Sequence, residues 1–197
     1  MLILGDSISI GYTPVVIAEL KGQANVVRAR QNCGDTNRGL GQLDNWLGKT
    51  DWEVIHFNWG LHDLCYRHPD SKVQGNRDKV KGTQAIPVED YSKNLDQLVE
   101  RLEKTGAKLI WASTTAVPEG EQGRFVEDAV KYNEAAAKIM EKYRISTDDL
   151  HAASEKIGKL RKKPNDVHFT TEGYEILGKK VADSIREALP VQEIKGE

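Results

Sequence analysis

The sequence predicts an α/β fold in three layers, a five-stranded parallel sheet between two sets of helices with a flavodoxin-like strand order. Two observations carry this expectation. Short apolar, β-rich runs alternate with helical patterns along the chain, which implies parallel strands joined by right-handed crossovers. Each strand also gives way abruptly to a glycine-bearing or polar turn, and ligands of such sheets bind outside the carboxyl ends of the strands. A length of 197 residues suits one domain, 1–197, large enough to bury a core without staples.

The elements follow in order. Leu2 to Gly5 reads as a short buried strand. A helix is expected from Pro14 to about Lys21, with Thr13 as N-cap and proline at the first helical position. Asn25 to Arg30 forms the second strand, followed by the polar turn Gln31 to Thr36 around Gly34. Leu40, Leu43, Trp46 and Leu47 recur at helical spacing up to Gly48. Val54 to Trp59 is the third strand and stops at Gly60. From Tyr66 to Glu89 charged and turn residues take over, and a loop of that length in a compact domain is usually functional or disordered. Asp90 is the expected cap of a helix with Tyr91, Leu95, Leu98, Val99 and Leu102 on its apolar face. Ala107 to Ser113 is strand four, and a Pro/Gly loop leads to a helix from about Arg124 to Lys142. A weak strand, Tyr143 to Thr147, and a short helix around Leu150 to Ile157 precede the last helix. That helix runs from Glu172 and buries Tyr174, Leu177, Val181, Ile185 and Leu189.

Composition narrows the function. A formal net charge of −2 gives no electrostatic case for nucleic acid or an anionic membrane. No apolar run approaches the ~20 residues of a membrane span. The chain opens on its first strand with no export signal; a removed signal leaves the same start, so a soluble protein of either compartment is expected. Cys33 and Cys65 are too few for a disulfide framework or a zinc site, and are expected as unpaired thiols near the functional edge.

That edge holds the chemistry. Ser7, in Gly5-Asp6-Ser7, leaves the first strand with its hydroxyl above the sheet edge, where backbone N–H groups face a developing anion. Serine needs a base, and His168, beside Asn165 and Asp166 and just before a helix start, is the best candidate. His56 lies inside an apolar strand and reads as a core residue, while His68 and His151 sit in polar segments. Asp6, Trp59 and Asp63 are candidate substrate contacts, and Tyr66 and Arg67 could also touch substrate. Asp6 and Asp35 also suit the bracing of turns.

Together, Gly5-Asp6-Ser7 and the segment Pro164 to Gly173 resemble the SGNH hydrolase family, the GDSL-type esterases and lipases. The resemblance spans the chain and implies the SGNH variant of the fold and a serine esterase without metal or cofactor. It assigns oxyanion donors to the N–H groups of Ser7 and Gly34. The family's third donor, an asparagine in Gly-x-Asn-Asp, is replaced in Gly60-Leu61-His62-Asp63 by His62, whose neutral ring still offers one N–H. The family's acid, three residues before the histidine, falls on Asn165 and not on a carboxylate. Asp166 as the recruited acid, or a Ser-His dyad with Asn165 orienting the ring, both satisfy the sequence. The expected substrate is a small-molecule or carbohydrate ester with a short acyl group such as acetyl. The two displaced positions keep a weakly active or non-catalytic carbohydrate-binding module as the alternative, and a flavodoxin-like phosphate binder lacks the glycine-rich loop it needs.

Overall fold

The computed structural model describes residues 1–70 and 76–190. Its elements are β1 (Leu2–Leu4), α1 (Ser7–Glu19), β2 (Val27–Arg28), α2 (Thr36–Leu47), β3 (Val54–Phe57), β4 (Tyr66–Arg67), β5 (Thr83–Gln84) and α3 (Val88–Glu103). They continue with β6 (Lys108–Ala112), α4 (Val126–Tyr143), β7 (Ser146–Asp148), α5 (Leu150–Lys156), a 3-10 turn (Gly158–Leu160) and α6 (Thr171–Ala188). The main sheet is all parallel in the order β2-β1-β3-β6-β7, the expected flavodoxin-like order. Its inner strands β1 and β3, and β6 beyond Lys108, are buried: α1 packs on α6, and α2, α3 and α4 pack in series.

Three boundaries differ from expectation. Helix α1 begins at Ser7 and not at Pro14, because the Asp6 carboxylate accepts the Ile8 N–H at 2.9 Å and caps the helix a full turn and more earlier. Thr13, expected as the cap, lies inside the helix and donates to the Ser9 carbonyl at 2.6 Å. Helix α3 starts at Val88 on Pro87, which leaves Asp90 in the first turn, where its charge complements the helix dipole. Strand β2 pairs over two residues because it is an edge strand with one neighbour. Residues 71–75 of the expected loop and 191–197 of the expected domain lie outside the described residues.

His56 is the core residue its setting implied. It is fully buried, and its Nε2 pairs with Asp148 Oδ2 at 3.1 Å. Lys180 from α6 approaches the same carboxylate at 3.2 Å, so three elements share one buried charge.

Candidate active site

The early start of α1 decides how Ser7 is presented. At the first helical position its N–H has no carbonyl of the helix to donate to, so donor and dipole face outward beside the hydroxyl. The turn is fixed from the neighbouring loop: the Gly5 N–H donates to Cys33 Sγ at 3.2 Å, and the Cys33 N–H returns to the Gly5 carbonyl at 3.1 Å. Burial pushes the Cys33 thiol up to about 11, so it stays protonated. Cys33 and Cys65 are both free and buried, as the sequence implied.

Ser7 Oγ lies 2.8 Å from His168 Nε2, across 161 residues of chain. His168 Nδ1 lies 2.7 Å from Asp166 Oδ1, and the same oxygen accepts the His168 main-chain N–H at 3.0 Å. A neutral ring satisfies both partners in one tautomer: Nδ1–H donates to the carboxylate, and Nε2 accepts the serine proton. Burial draws the Asp166 carboxyl upward, but hydrogen bonds from the His168 N–H and ring, with the His168 and Arg77 charges, outweigh it. They hold the carboxyl below its ordinary value. Asn165, the residue at the family spacing, is exposed and makes no hydrogen bond to the ring.

Sequence reading missed what holds this segment. Arg161 is buried and donates to the Val167 carbonyl at 3.0 Å, the Asp166 carbonyl at 3.3 Å and the Ala116 carbonyl, while its guanidinium lies over the Phe169 ring. It ties the histidine loop to the loop after β6. Thr170 then caps α6, and α6 packs directly on α1, the helix that carries Ser7.

Three other candidates are engaged by the protein itself. Gly34 has φ +63, a conformation suited to glycine, but its N–H donates to Asn32 Oδ1 at 2.9 Å and is already engaged. Trp59 is fully buried beneath α2 and accepts the Tyr91 hydroxyl on its carbonyl at 3.0 Å, so its ring presents nothing to a ligand. Asp63 is also fully buried: its Oδ1 accepts the Thr36 N–H at 2.9 Å and hydroxyl at 2.6 Å, bracing the start of α2. Burial pushes the Asp63 carboxyl up to about 8, against the lowering effect of those bonds. Asp6 reaches the wall of the cavity, but its carboxylate is committed to the cap.

Ser7 and His168 open on a cavity of about 420 Å³. Leu61 and Val167 are its apolar lining. Asn32, His62, Arg67, Arg77 and Arg124 line it with Ser7 and His168. His62 is largely enclosed, and its Nδ1 is buried without a hydrogen-bond partner. Burial, with help from the Arg124 and Arg67 charges and against Asp6, lowers its pKa, so the ring is neutral near pH 7. Tyr66 packs edge-on against Phe125. Among the described residues, no group of three or more His, Cys, Asp or Glu side chains is placed to hold a metal ion.

Residues 3–176 match the model of the GDSL-like lipase/acylhydrolase family. The chain belongs to that family. Its fold recurs in distant GDSL and SGNH relatives. An acetyl xylan esterase, AlAXEase, is 16% identical at TM-score 0.72, over 93% of this chain and 98% of its own. A lipase/acylhydrolase from Enterococcus faecalis is 20% identical at TM-score 0.73, over 98% and 97%. The acetylxylan esterase Axe2 from Geobacillus stearothermophilus is 16% identical at TM-score 0.73, over 93% and 92%. No curated protein sequence matches the chain. Family membership makes this GDSL-like protein an ester hydrolase by class.

Proposed function

We propose that this protein is a serine esterase that hydrolyses carboxylic esters of small acyl groups, such as acetyl on a carbohydrate, through an acyl-serine intermediate. The observation that carries the reading is the unbroken line Ser7 Oγ, His168 Nε2, His168 Nδ1, Asp166 Oδ1, with steps of 2.8 and 2.7 Å, at the wall of one cavity.

In this reading Ser7 Oγ attacks the ester carbon while His168 Nε2 takes its proton. Asp166 keeps the ring in the required tautomer and stabilises the imidazolium. The oxyanion is held by the Ser7 N–H, by the His62 ring, and by the amide NH₂ of Asn32. Asn32 takes the place of Gly34 because its own Oδ1 occupies the Gly34 N–H, which leaves its two amide protons for the cavity. Collapse expels the alcohol, protonated by His168, and water then hydrolyses the acyl-serine by the same proton route. Acetyl on carbohydrate is supported by the hydrogen-bonding side chains Asn32 and His62 on the cavity wall and by the acetylxylan esterases of the same fold.

The test is labelling with a fluorophosphonate probe beside hydrolysis of 4-nitrophenyl acetate and octanoate. The expected result is labelling that disappears in Ser7→Ala at unchanged melting temperature, and faster turnover of acetate. Labelling that survives Ser7→Ala refutes the nucleophile. A wild-type protein that neither labels nor turns over is the non-catalytic binding module.

A further inference from the structure

The cavity wall carries three arginines that the acyl-transfer steps do not use. Arg67 comes from β4, Arg77 from the segment that bridges back to it, and Arg124 from the approach to α4. Three separate stretches of chain thus bring a guanidinium each to the wall that holds Ser7 and His168.

Two of them share a single counter-ion. Glu121 is fully buried. Its Oε1 binds Arg77 Nη1 at 2.7 Å and Arg124 Nη1 at 3.1 Å, and its Oε2 accepts the Gly123 N–H at 2.6 Å. Arg124 is itself buried and spends Nε on the Leu61 carbonyl at 2.7 Å. One carboxylate cannot neutralise two guanidiniums, and these bonds leave the Nη2 of each without a protein partner among the described residues. Asp6, on the same wall, and Asp166, within reach of the Arg77 charge, keep their own charges, but they bond the α1 cap and His168 and donate no oxygen to Arg77 or Arg124 among the described residues.

Clamping the 66–86 loop does not account for this set. Main-chain bonds already do so, Tyr66 N–H to the Gly123 carbonyl at 2.7 Å and Lys79 N–H to the Gln122 carbonyl at 2.9 Å, and one arginine would satisfy Glu121. A neutral acetylated sugar would also offer these guanidinium donors no charged oxygen. Among the described residues Arg77 bonds Glu121 through Nη1 alone, so its Nε–Nη2 edge can meet two oxygens of a carboxylate, phosphate or sulfate, and Arg124 Nη2 adds a single donor.

We propose that the ester this cavity accepts carries an anionic oxygen group, a carboxylate or an ester of phosphate or sulfate, seated on Arg77 and Arg124 beside Arg67. The inference rests on the esterase reading and narrows it from carbohydrate esters in general to acidic ones.

The test compares kcat/KM in matched pairs at low ionic strength. One pair places the charge on the alcohol side, 4-carboxyphenyl acetate against 4-carbamoylphenyl acetate. The other places it on the acyl side, mono(4-nitrophenyl) adipate against 4-nitrophenyl hexanoate. In at least one pair the anionic ester is expected to be preferred about tenfold or more, the scale of one charge-assisted bond. That ratio should collapse towards one in Arg77→Gln and fall with added salt. Arg77→Gln leaves Arg124 on Glu121, so the buried carboxylate stays paired; Arg67→Gln is the second variant should the first melt early. Turnover of both pairs with ratios near one, or a ratio unchanged in both variants, overturns the proposal and leaves the esterase reading standing. Should no ester be cleaved, the esterase reading fails and sulfate binding to the intact protein decides. A melting-temperature rise over matched chloride that is lost in the arginine variants supports the anion site, and an equal rise in all of them overturns it.

Discussion

Asp166→Asn is the substitution whose cost the structure specifies most closely. In a serine triad, an amide in place of the acid can cost on the order of 10⁴ in turnover because it stabilises the wrong histidine tautomer. That penalty requires the amide NH₂ to face the ring. Here the oxygen that meets His168 Nδ1 at 2.7 Å also accepts the His168 main-chain N–H at 3.0 Å. A main-chain donor cannot reverse its role, so the new amide is held with its oxygen towards both groups and the ring keeps Nδ1–H. What is lost is the charge. A hydrogen bond to a charged group contributes about 1.5–3 kcal/mol, and the partial exposure of both side chains, 36% for His168 and 24% for Asp166, argues against more. At about 1.36 kcal/mol per decade this is roughly a 10- to 150-fold fall in kcat. Asn165→Asp, at an exposed position off the ring, should stay within about twofold of the parent. Steady-state kinetics on 4-nitrophenyl acetate measure both. A loss near 10⁴ would show that the amide had flipped, and a near-silent Asp166→Asn with a faster Asn165→Asp would remove Asp166 from the mechanism.

Three further outcomes are expected. His62→Ala should lower kcat by about 10²-fold with little change in KM, because an oxyanion donor acts in the transition state, and His62→Asn should recover much of the loss; an alanine variant as fast as the parent makes His62 a wall residue only. The Asp63 carboxyl is pushed up to about 8 from an ordinary 3.8, so the folded chain holds a proton that the unfolded chain releases. Its stabilisation is complete below 3.8 and is lost as pH rises through about 8. Urea midpoints from pH 5 to 9 should therefore fall more steeply for the parent than for the uncharged Asp63→Asn, and parallel slopes would refute this. In the α1–α6 contact, a Cβ at Gly11 would stand 2.2 Å from the Tyr174 ring, so Gly11→Ala should cost about 1–3 kcal/mol by overpacking. Adding Tyr174→Leu should restore part of the melting temperature, and strictly additive losses would refute the contact.

Much of this protein is legible along the chain because its signals are local. Alternating apolar strands and amphipathic helices determine the layers, and right-handed crossovers then leave few strand orders, of which 2-1-3-4-5 of the main sheet is the one adopted. Ser7 and His168 stand out for the same reason, each a reactive side chain at the boundary of an element. Boundaries with two competing caps were not decided locally. Asp6 and Thr13 both suit a helix start, and the folded chain uses the first, whose carboxylate accepts the Ile8 N–H, while α1 packs along α6. The acid was likewise open, since a displacement of one residue in a turn rotates a side chain through an angle that sequence spacing does not record. The folded turn brings Asp166 to the ring and leaves Asn165 in solvent. Gly34 followed the motif until Asn32, two residues away, took its N–H. Of the arginines around the cavity only Arg67, close to the turn after strand three, carried a local signal. Arg77 and Arg124 are ordinary charged residues in polar segments, and they join Arg67 on one wall beside Ser7 only because the folded chain gathers Arg77 and Arg124 around a fully buried Glu121. Such convergence is a long-range property, determined by burial and charge pairing in three dimensions.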